Sequence, residues 1–258
     1  MEITKIKENI YQYEFKEGTH NPIFGLNIFV IVNGNKALII DTGYEEHAQK
    51  VKNNLDRKGI KVEVVILSHF HPDHISGSTL FRDSLFVGSK NYKINFNKSK
   101  KWLPGKEFIE PKLFAEDQNS LKFGAHKLDF IYTPGHSICS ISTIIDDEIL
   151  HVGDLVMETI DGKTVLPYLS FDGSFDEHIE SLQMIIKSDY KIFLLSHGTI
   201  VNDKIKMNTM VEDRIYYLKS VKNSNGKLPL EECLKYDLDR YESIKFHQNN
   251  LKLLNKNI

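Results

Sequence analysis

The sequence predicts an α/β protein whose strands and helices lie in layers, on three observations. Short apolar runs bounded by turn residues recur as far as residue 198. Segments of helical period stand between several of those runs, and helical patterning continues from about residue 203 to the end. Several of the apolar runs also end in a histidine or an aspartate, which marks strand ends gathered around a site. Strands interleaved with helices pack as sheets covered by helices, because each element is apolar on one side only. The 258 residues suffice for one large domain with a substantial core. With no internal repeat or low-complexity linker in view, residues 1–202 read as one domain. Residues 203–258 read as a helical C-terminal extension packed on it.

The elements follow in order. "LNIFVIV" (26–32), "NGN" and "KALIIDTG" (36–43) form a β-hairpin, since Asn-Gly supplies the positive φ angles of a tight turn. "EEHAQKVKNNLDRKG" (45–59) is a helix with Val51 and Leu55 on one face and Gly59 as its cap. "VEVVILSH" (62–69) is a buried strand, and Pro72 opens a helix where its missing N–H costs nothing. Strands follow at "SLFVG" (84–88), "KLDFIYTPG" (127–135), "SISTIID" (140–146) and "EILHVGD" (148–154). "SFDEHIESLQMIIKS" (174–188) is an amphipathic helix with Ile179, Leu182, Ile185 and Ile186 on one stripe. "KIFLLSHG" (191–198) is a last buried strand. "MVEDRIYYLKSV" (210–221) and "YESIKFHQNNLKLL" (241–254) are helices suited to capping a pocket or to forming a homodimer.

Composition excludes some function classes. The formal charge is −2, so no global field draws in nucleic acid or an anionic membrane. Two cysteines do not make a disulfide framework and fit a reducing compartment. The charged start "MEITKIKENIYQYEF" has no signal-peptide pattern, and no apolar run approaches the length of a bilayer span. The expected setting is cytoplasmic, with a small-molecule substrate rather than a membrane or nucleic acid as partner.

One stretch carries the chemistry. "SHFHPDHISG" (68–77) holds His69, His71, Asp73 and His74 within six residues. By composition, such a His-x-His-x-Asp-His run arises by chance in about one chain in a thousand. Three other strand ends supply residues of the same kind: His136 in "TPGHS", Asp154 in "HVGDL" and His197 in "LLSHG". Five histidines and two aspartates are about what two zinc-like ions need, and imidazole with carboxylate suits zinc, iron or manganese.

On the motifs "IIDTG" (39–43), "SHFHPDHISG" (68–77), "TPGHS" (133–137), "VGDLV" (152–156) and "LSHG" (195–198), the sequence resembles the metallo-β-lactamase-fold superfamily of metal-dependent hydrolases. The resemblance implies an αββα sandwich, two mixed β-sheets flanked by helices, with the site at one edge between the sheets. It implies that His69, His71 and His136 hold a first metal ion, that Asp73, His74 and His197 hold a second, and that Asp154 bridges them. Zinc is the first expectation for both ions, with iron and manganese the other candidates. The pattern is that of the glyoxalase II and lactonase branches; β-lactamases proper usually carry a cysteine at the bridging aspartate and a signal peptide. Asp41 takes an outer-sphere role by the same resemblance.

A metal lowers the pKa of bound water from about 15.7 to about 7, so metal-bound hydroxide is the expected nucleophile, cleaving a thioester, lactone or related ester. Asp73 is the candidate proton acceptor, and Tyr168, in "TVLPYLSFDG" (164–173), the candidate donor to the carbonyl oxygen. His20, in the 17–25 loop, is a candidate substrate contact. Two alternative activities share the ligands: a metal-dependent nuclease or phosphodiesterase, to which the Lys-rich stretch 90–106 lends weight, and a mononuclear iron persulfide dioxygenase. Cys139 is expected to start a buried strand, and His151 to be a satisfied, partly buried residue. His47, His126, His178 and His247 are expected at the surface.

Overall fold

A computed structural model describes residues 1–16, 23–118 and 120–256. In chain order its elements are β1 (Glu2–Lys7), β2 (Ile10–Phe15), β3 (Leu26–Asn33), β4 (Lys36–Ile40), α1 (Glu45–Asp56), β5 (Lys61–Ile66), α2 (Pro72–Ile75), β6 (Leu85–Gly88) and α3 (Lys93–Trp102). Then come β7 (Leu113–Phe114), α4 (Ala115–Gln118), β8 (Ser120–Phe123), β9 (His126–Tyr132), β10 (Ile141–Ile145), β11 (Ile149–His151) and β12 (Thr164–Val165). The chain closes with α5 (Phe175–Lys187), β13 (Ile192–Leu194), α6 (Lys204–Asn223), β14 (Tyr241–Glu242) and α7 (Lys245–Lys256).

Two mixed sheets face each other. The first runs β1 to β7 in sequence order, antiparallel as far as β4 and parallel beyond it. The second has the order β13-β11-β10-β9-β8, with only the β11–β13 pair parallel. Side-chain alternation along the strands separates three cores, as the period of two requires. On β3 and β4, Ile28, Val30, Ala37 and Ile39 join Ala48, Val51 and Leu55 of α1 and Phe96 of α3. Their neighbours Phe29, Ile31, Leu38 and Ile40 turn the other way and meet Leu128, Ile141, Ile145 and Ile149 of the second sheet. That sheet's far face, with Ile144, Leu150 and Phe193, packs on Leu182 and Ile185 of α5 and on Val211 and Leu218 of α6. The layers are therefore helix, sheet, sheet, helix, the αββα sandwich that the motifs imply.

The local expectations hold where the signal is local. Asn33–Gly34–Asn35 turns the β3–β4 hairpin, with Gly34 at φ +61°. Pro72 occupies the first turn of α2. Ser174 caps α5, its side chain accepting from the Glu177 N–H. The C-terminal pattern differs: residues 241–242 are a strand paired in parallel with β12, and the last helix begins only at Lys245.

The surface assignment of three histidines is corrected. His47, His178 and His247 are buried. His47 stacks on Phe15 at 4.5 Å, His178 Nε2 donates to the Leu155 carbonyl at 3.3 Å, and His247 Nδ1 lies 3.1 Å from the Tyr217 hydroxyl. Each lies on a helix whose inward face is settled by a distant segment, so a local pattern of mixed residues leaves it unresolved. The reason is sharpest at His178. Gly135 has φ +129°, and a Cβ there would sit 2.2 Å from His178 Cα, so the loop that presents His136 runs against the start of α5. His126, at the start of β9, is half-buried rather than open at the surface, its Nδ1 2.6 Å from Asp146.

Candidate metal centre

Every residue of the expected set follows the C-terminal end of a strand. Asp41 follows β4, the 69–74 run follows β5, His136 follows β9, Asp154 follows β11 and His197 follows β13. Bonds between segments draw these loops together. Ile141 N donates to the Ser68 carbonyl at 2.8 Å, and Val152 N to the Leu194 carbonyl at 3.0 Å. Buried Asn27, on β3, donates from Nδ2 to the carbonyls of Leu195 and Gly198, both at 2.8 Å, and so holds the His197 loop against the first sheet.

The seven ligand-type residues fall into two groups. His69, His71, His136 and Asp154 form one, and Asp73, His74 and His197 the other, with the ligand atoms of each group within 4.8 Å of one another. In the first, His71 Nδ1 lies 3.0 Å from His69 Nε2 and 3.0 Å from His136 Nε2. Asp154 Oδ2 is 3.7 Å from His69 Nε2 and 3.5 Å from His136 Nε2. In the second, Asp73 Oδ1 is 3.7 Å from His74 Nε2 and Asp73 Oδ2 is 3.4 Å from His197 Nε2. The other Asp154 oxygen, Oδ1, faces this group, 3.4 Å from His74 Nε2 and 3.6 Å from His197 Nε2. One carboxylate thus divides its two oxygens between the groups.

These spacings fit a metal. Tetrahedral ligands about 2.0–2.1 Å from a central ion stand roughly 3.3–3.4 Å apart. The outer ring nitrogens are already engaged. His74 Nδ1 donates to Asp41 at 2.8 Å, His136 Nδ1 to the Tyr168 carbonyl at 2.7 Å, and His197 Nδ1 to the Gly25 carbonyl at 2.8 Å. Each of these rings therefore turns Nε2 inward, the outer-sphere arrangement typical of ligand histidines. His74 Nε2 and Asp154 Oδ1 are buried without a hydrogen-bond partner, a costly condition that a cation relieves.

Electrostatics tell the same story. Burial pushes the imidazoles of His69 and His71 down, and neighbouring histidines add to it, leaving His71 at about 3. Burial also lowers His136. Burial acts the same way on His74 and His197, but the nearby carboxylates, Asp154 first, override it and raise both. Burial would raise Asp73 and Asp154, yet the imidazoles around them hold both below the usual carboxylate range. The site gathers ionised carboxylates among buried imidazoles, a setting that favours positive charge.

Asp41 takes the outer-sphere position that the resemblance implies. It has φ +61°, as a turn aspartate does, and it is buried. Its carboxylate accepts from Ser68 N, Ser68 Oγ and His74 Nδ1, all at 2.8 Å, and from Ser196 Oγ at 3.3 Å.

A cavity of about 180 Å³ lies over the two groups, lined by Phe24, Trp102, Met157, Tyr168 and Phe246 beside His71, Asp73, His136, Asp154 and His197. Tyr168 lies with its ring 5.7 Å from that of His136 and 4.9 Å from that of Phe246. Burial raises its phenol above the usual value, so it keeps its proton at neutral pH. A second cavity, about 670 Å³, shares Pro72 and Trp102 with the first and runs between Tyr44, Glu46, Gln49 and Leu103. Cys139 is buried, and burial pushes its thiol up to about 12, which removes it as a nucleophile. His151 is buried too, its Nε2 3.2 Å from Ser196 Oγ. His20 lies outside the described residues. Phe246 and Met157 escape sequence reasoning, because an apolar residue on an amphipathic segment carries no mark of facing a site.

Comparisons with known proteins agree with the geometry. A family model described as the metallo-beta-lactamase superfamily matches residues 22–197. The chain is 25% identical over 207 residues to a beta-lactamase-like protein 2 homolog of Caenorhabditis elegans, covering 76% of this chain and 65% of that one. It is 25% identical over 191 residues to an atrochrysone carboxyl ACP thioesterase of Aspergillus fumigatus, covering 72% of this chain and 41% of the other. The chain thus spans less than two thirds of either relative's length. Among solved structures it superposes on a metallo-beta-lactamase from Pontibacter korlensis with a TM-score of 0.67 at 18% identity, over 84% of this chain and 98% of that one.

Proposed function

Because the chain belongs to the metallo-beta-lactamase superfamily, we propose that it is a binuclear metal-dependent hydrolase of the glyoxalase II and lactonase kind, cleaving a thioester, lactone or related ester in the cytoplasm. One observation carries this reading: seven His and Asp residues converge in two adjoining groups, and Asp154 turns one oxygen to each. His69, His71, His136 and Asp154 would hold one ion, and Asp73, His74 and His197, with Asp154, a second. Zinc heads the candidates, with iron and manganese behind it. Bound there, such ions lower the pKa of water into the neutral range and polarise a scissile carbonyl.

The chain's own residues do the rest. Asp73, ionised and partly open to the cavity, takes the proton of the attacking water and returns it to the leaving group. The Tyr168 phenol, kept protonated, donates to the carbonyl oxygen as negative charge builds there. Phe24, Met157 and Phe246 exclude bulk water, which strengthens both interactions.

The adjoining cavity favours a substrate with an extended arm. Its walls are apolar at Tyr44, Pro72, Trp102 and Leu103, and Glu46 and Gln49 offer acceptors and donors to an amide-bearing chain. The thioesterase among the relatives acts, by its name, on a carrier-bound thioester. Trp102 stands between the cavities with half of its surface exposed. Trp102→Ala therefore raises KM about tenfold for a long-armed thioester, the loss of roughly 1.4 kcal/mol of aromatic contact, and leaves a small acetate ester unaffected. Steady-state kinetics on the pair of substrates check this.

A phosphodiesterase is the second reading, favoured by the six lysines between residues 90 and 106, of which Lys98 lies over the rings of Trp102 at 4.5 Å and Phe171 at 3.3 Å. One panel decides between them. Protein purified without a metal-affinity tag and supplied with zinc or manganese turns over at least one thioester, lactone or aryl ester, and a chelator abolishes that turnover. Hydrolysis of bis(p-nitrophenyl) phosphate alone reverses the order of the two readings, and turnover of neither class overturns both.

A further inference from the structure

We propose that Asn250, on the C-terminal helix α7, is a positioning residue of the metal centre, acting through the backbone of residues 167–169 on His136 and Tyr168. The inference rests on the metal-centre reading above for its consequence, though not for its geometry.

Asn250 is fully buried. Its Nδ2 donates to the Pro167 carbonyl at 2.7 Å and to the Tyr217 hydroxyl at 3.0 Å, and its Oδ1 accepts from Leu169 N at 3.1 Å. A carbonyl only accepts and a peptide N–H only donates, so the amide has one permitted orientation. The Tyr217 hydroxyl in turn donates to His247 Nδ1 at 3.1 Å. Every polar atom of the Asn250 side chain is thereby used, the condition under which a buried amide is tolerated.

The two backbone bonds straddle Tyr168. On the opposite side of the same segment, the Tyr168 carbonyl accepts from His136 Nδ1 at 2.7 Å and Ser170 N donates to the His136 carbonyl at 2.8 Å. Residues 167–170 are a strip bonded to α7 along one edge and to His136 along the other. β12 and β14 extend the attachment, with Leu166 N donating to the Glu242 carbonyl at 3.2 Å. Phe246, one turn before Asn250, packs on the Tyr168 ring at 4.9 Å. The consequence is chemical. The Tyr168 carbonyl keeps the proton of His136 on Nδ1 and so keeps the Nε2 lone pair aimed at the ligand group. Asn250 fixes where that carbonyl points.

Three readouts test this. Asn250→Asp keeps the shape and the acceptor for Leu169 N but loses both donors. Asn250→Ala, which adds no charge, serves if the aspartate variant does not fold. Tyr217→Phe removes only the far end of the network. In metal-free protein labelled with ¹⁵N-histidine, His136 is expected to carry its proton on Nδ1 in wild type and Tyr217→Phe, and to populate the other tautomer in the Asn250 variants. In chelator competition with zinc, the Asn250 variants lose about 10–100-fold in affinity at one of two sites, while Tyr217→Phe keeps both. Thermal melting of the metal-free proteins serves as the control for stability. Asn250 variants with the wild-type tautomer overturn the proposal. So does an equal loss of affinity in Tyr217→Phe, which leaves Asn250 merely structural. A wild type that holds no zinc, with the tautomer change intact, overturns the metal reading and not the positioning role.

Discussion

Asp154→Asn is expected to lower kcat/KM roughly a thousandfold, beyond the 10–100-fold typical of losing an outer-sphere partner. Asparagine copies the shape of aspartate, but only one of its two terminal atoms accepts. In the native site Oδ2 faces His69 and His136 while Oδ1 faces His74 and His197. Whichever way the amide turns, one group loses its carboxylate oxygen and meets an NH₂ aimed at the imidazole lone pairs. Elemental analysis should give close to two metals per chain in wild type and fewer in the variant. His197→Ala complements it by touching the second group alone, so its metal content should fall towards one. Metal content that stays the same in both variants would sink the binuclear reading. One iron per chain, indifferent to His197, would move the dioxygenase to first place.

Asp41 should separate two costs that a single substitution confounds. Asp41→Ala removes the acceptor of four hydrogen bonds and places alanine at φ +61°. Left-handed strain costs an alanine about 1–2 kcal/mol, and orphaned buried donors such as Ser68 N cost about 1–3 kcal/mol each. The sum is on the order of 4–5 kcal/mol, or about 10–15 °C in the melting temperature of a chain of this size. Asp41→Asn tolerates the backbone and keeps one acceptor, so about half of that loss is expected. Both variants free His74 Nδ1 from its carboxylate, and each should weaken metal affinity by about 10–100-fold. Thermal melts of metal-free protein measure the first effect and chelator competition the second. Equal melting temperatures for the two variants would refute the share assigned to backbone strain.

Much of this is legible in the sequence, and the legible parts are those whose signal spans only a few residues. The β3–β4 hairpin follows from Asn-Gly between two apolar runs, and Pro72 at the start of α2 from its missing N–H. The run from His69 to His74 was legible because four ligand-type residues in six positions is a rare composition. His136, Asp154 and His197 were legible because each ends an apolar strand. The inward faces of helices were not. His178 reads as one polar residue on a helix, and its burial follows from the approach of Gly135 across the fold.

By itself, then, the sequence determined the layered sheets, the strand-end location of the site and its seven ligand-type residues, since periodicity and composition act over a few residues. The tertiary structure alone decided that Asp154 divides its oxygens between two groups, that Asp41 holds His74, and that α7 reaches the site through Asn250. Such partners are set by which distant segments meet: Asn250 and Pro167 are 83 residues apart. A buried polar group declares its role only when the chain around it has closed and each donor has met its acceptor.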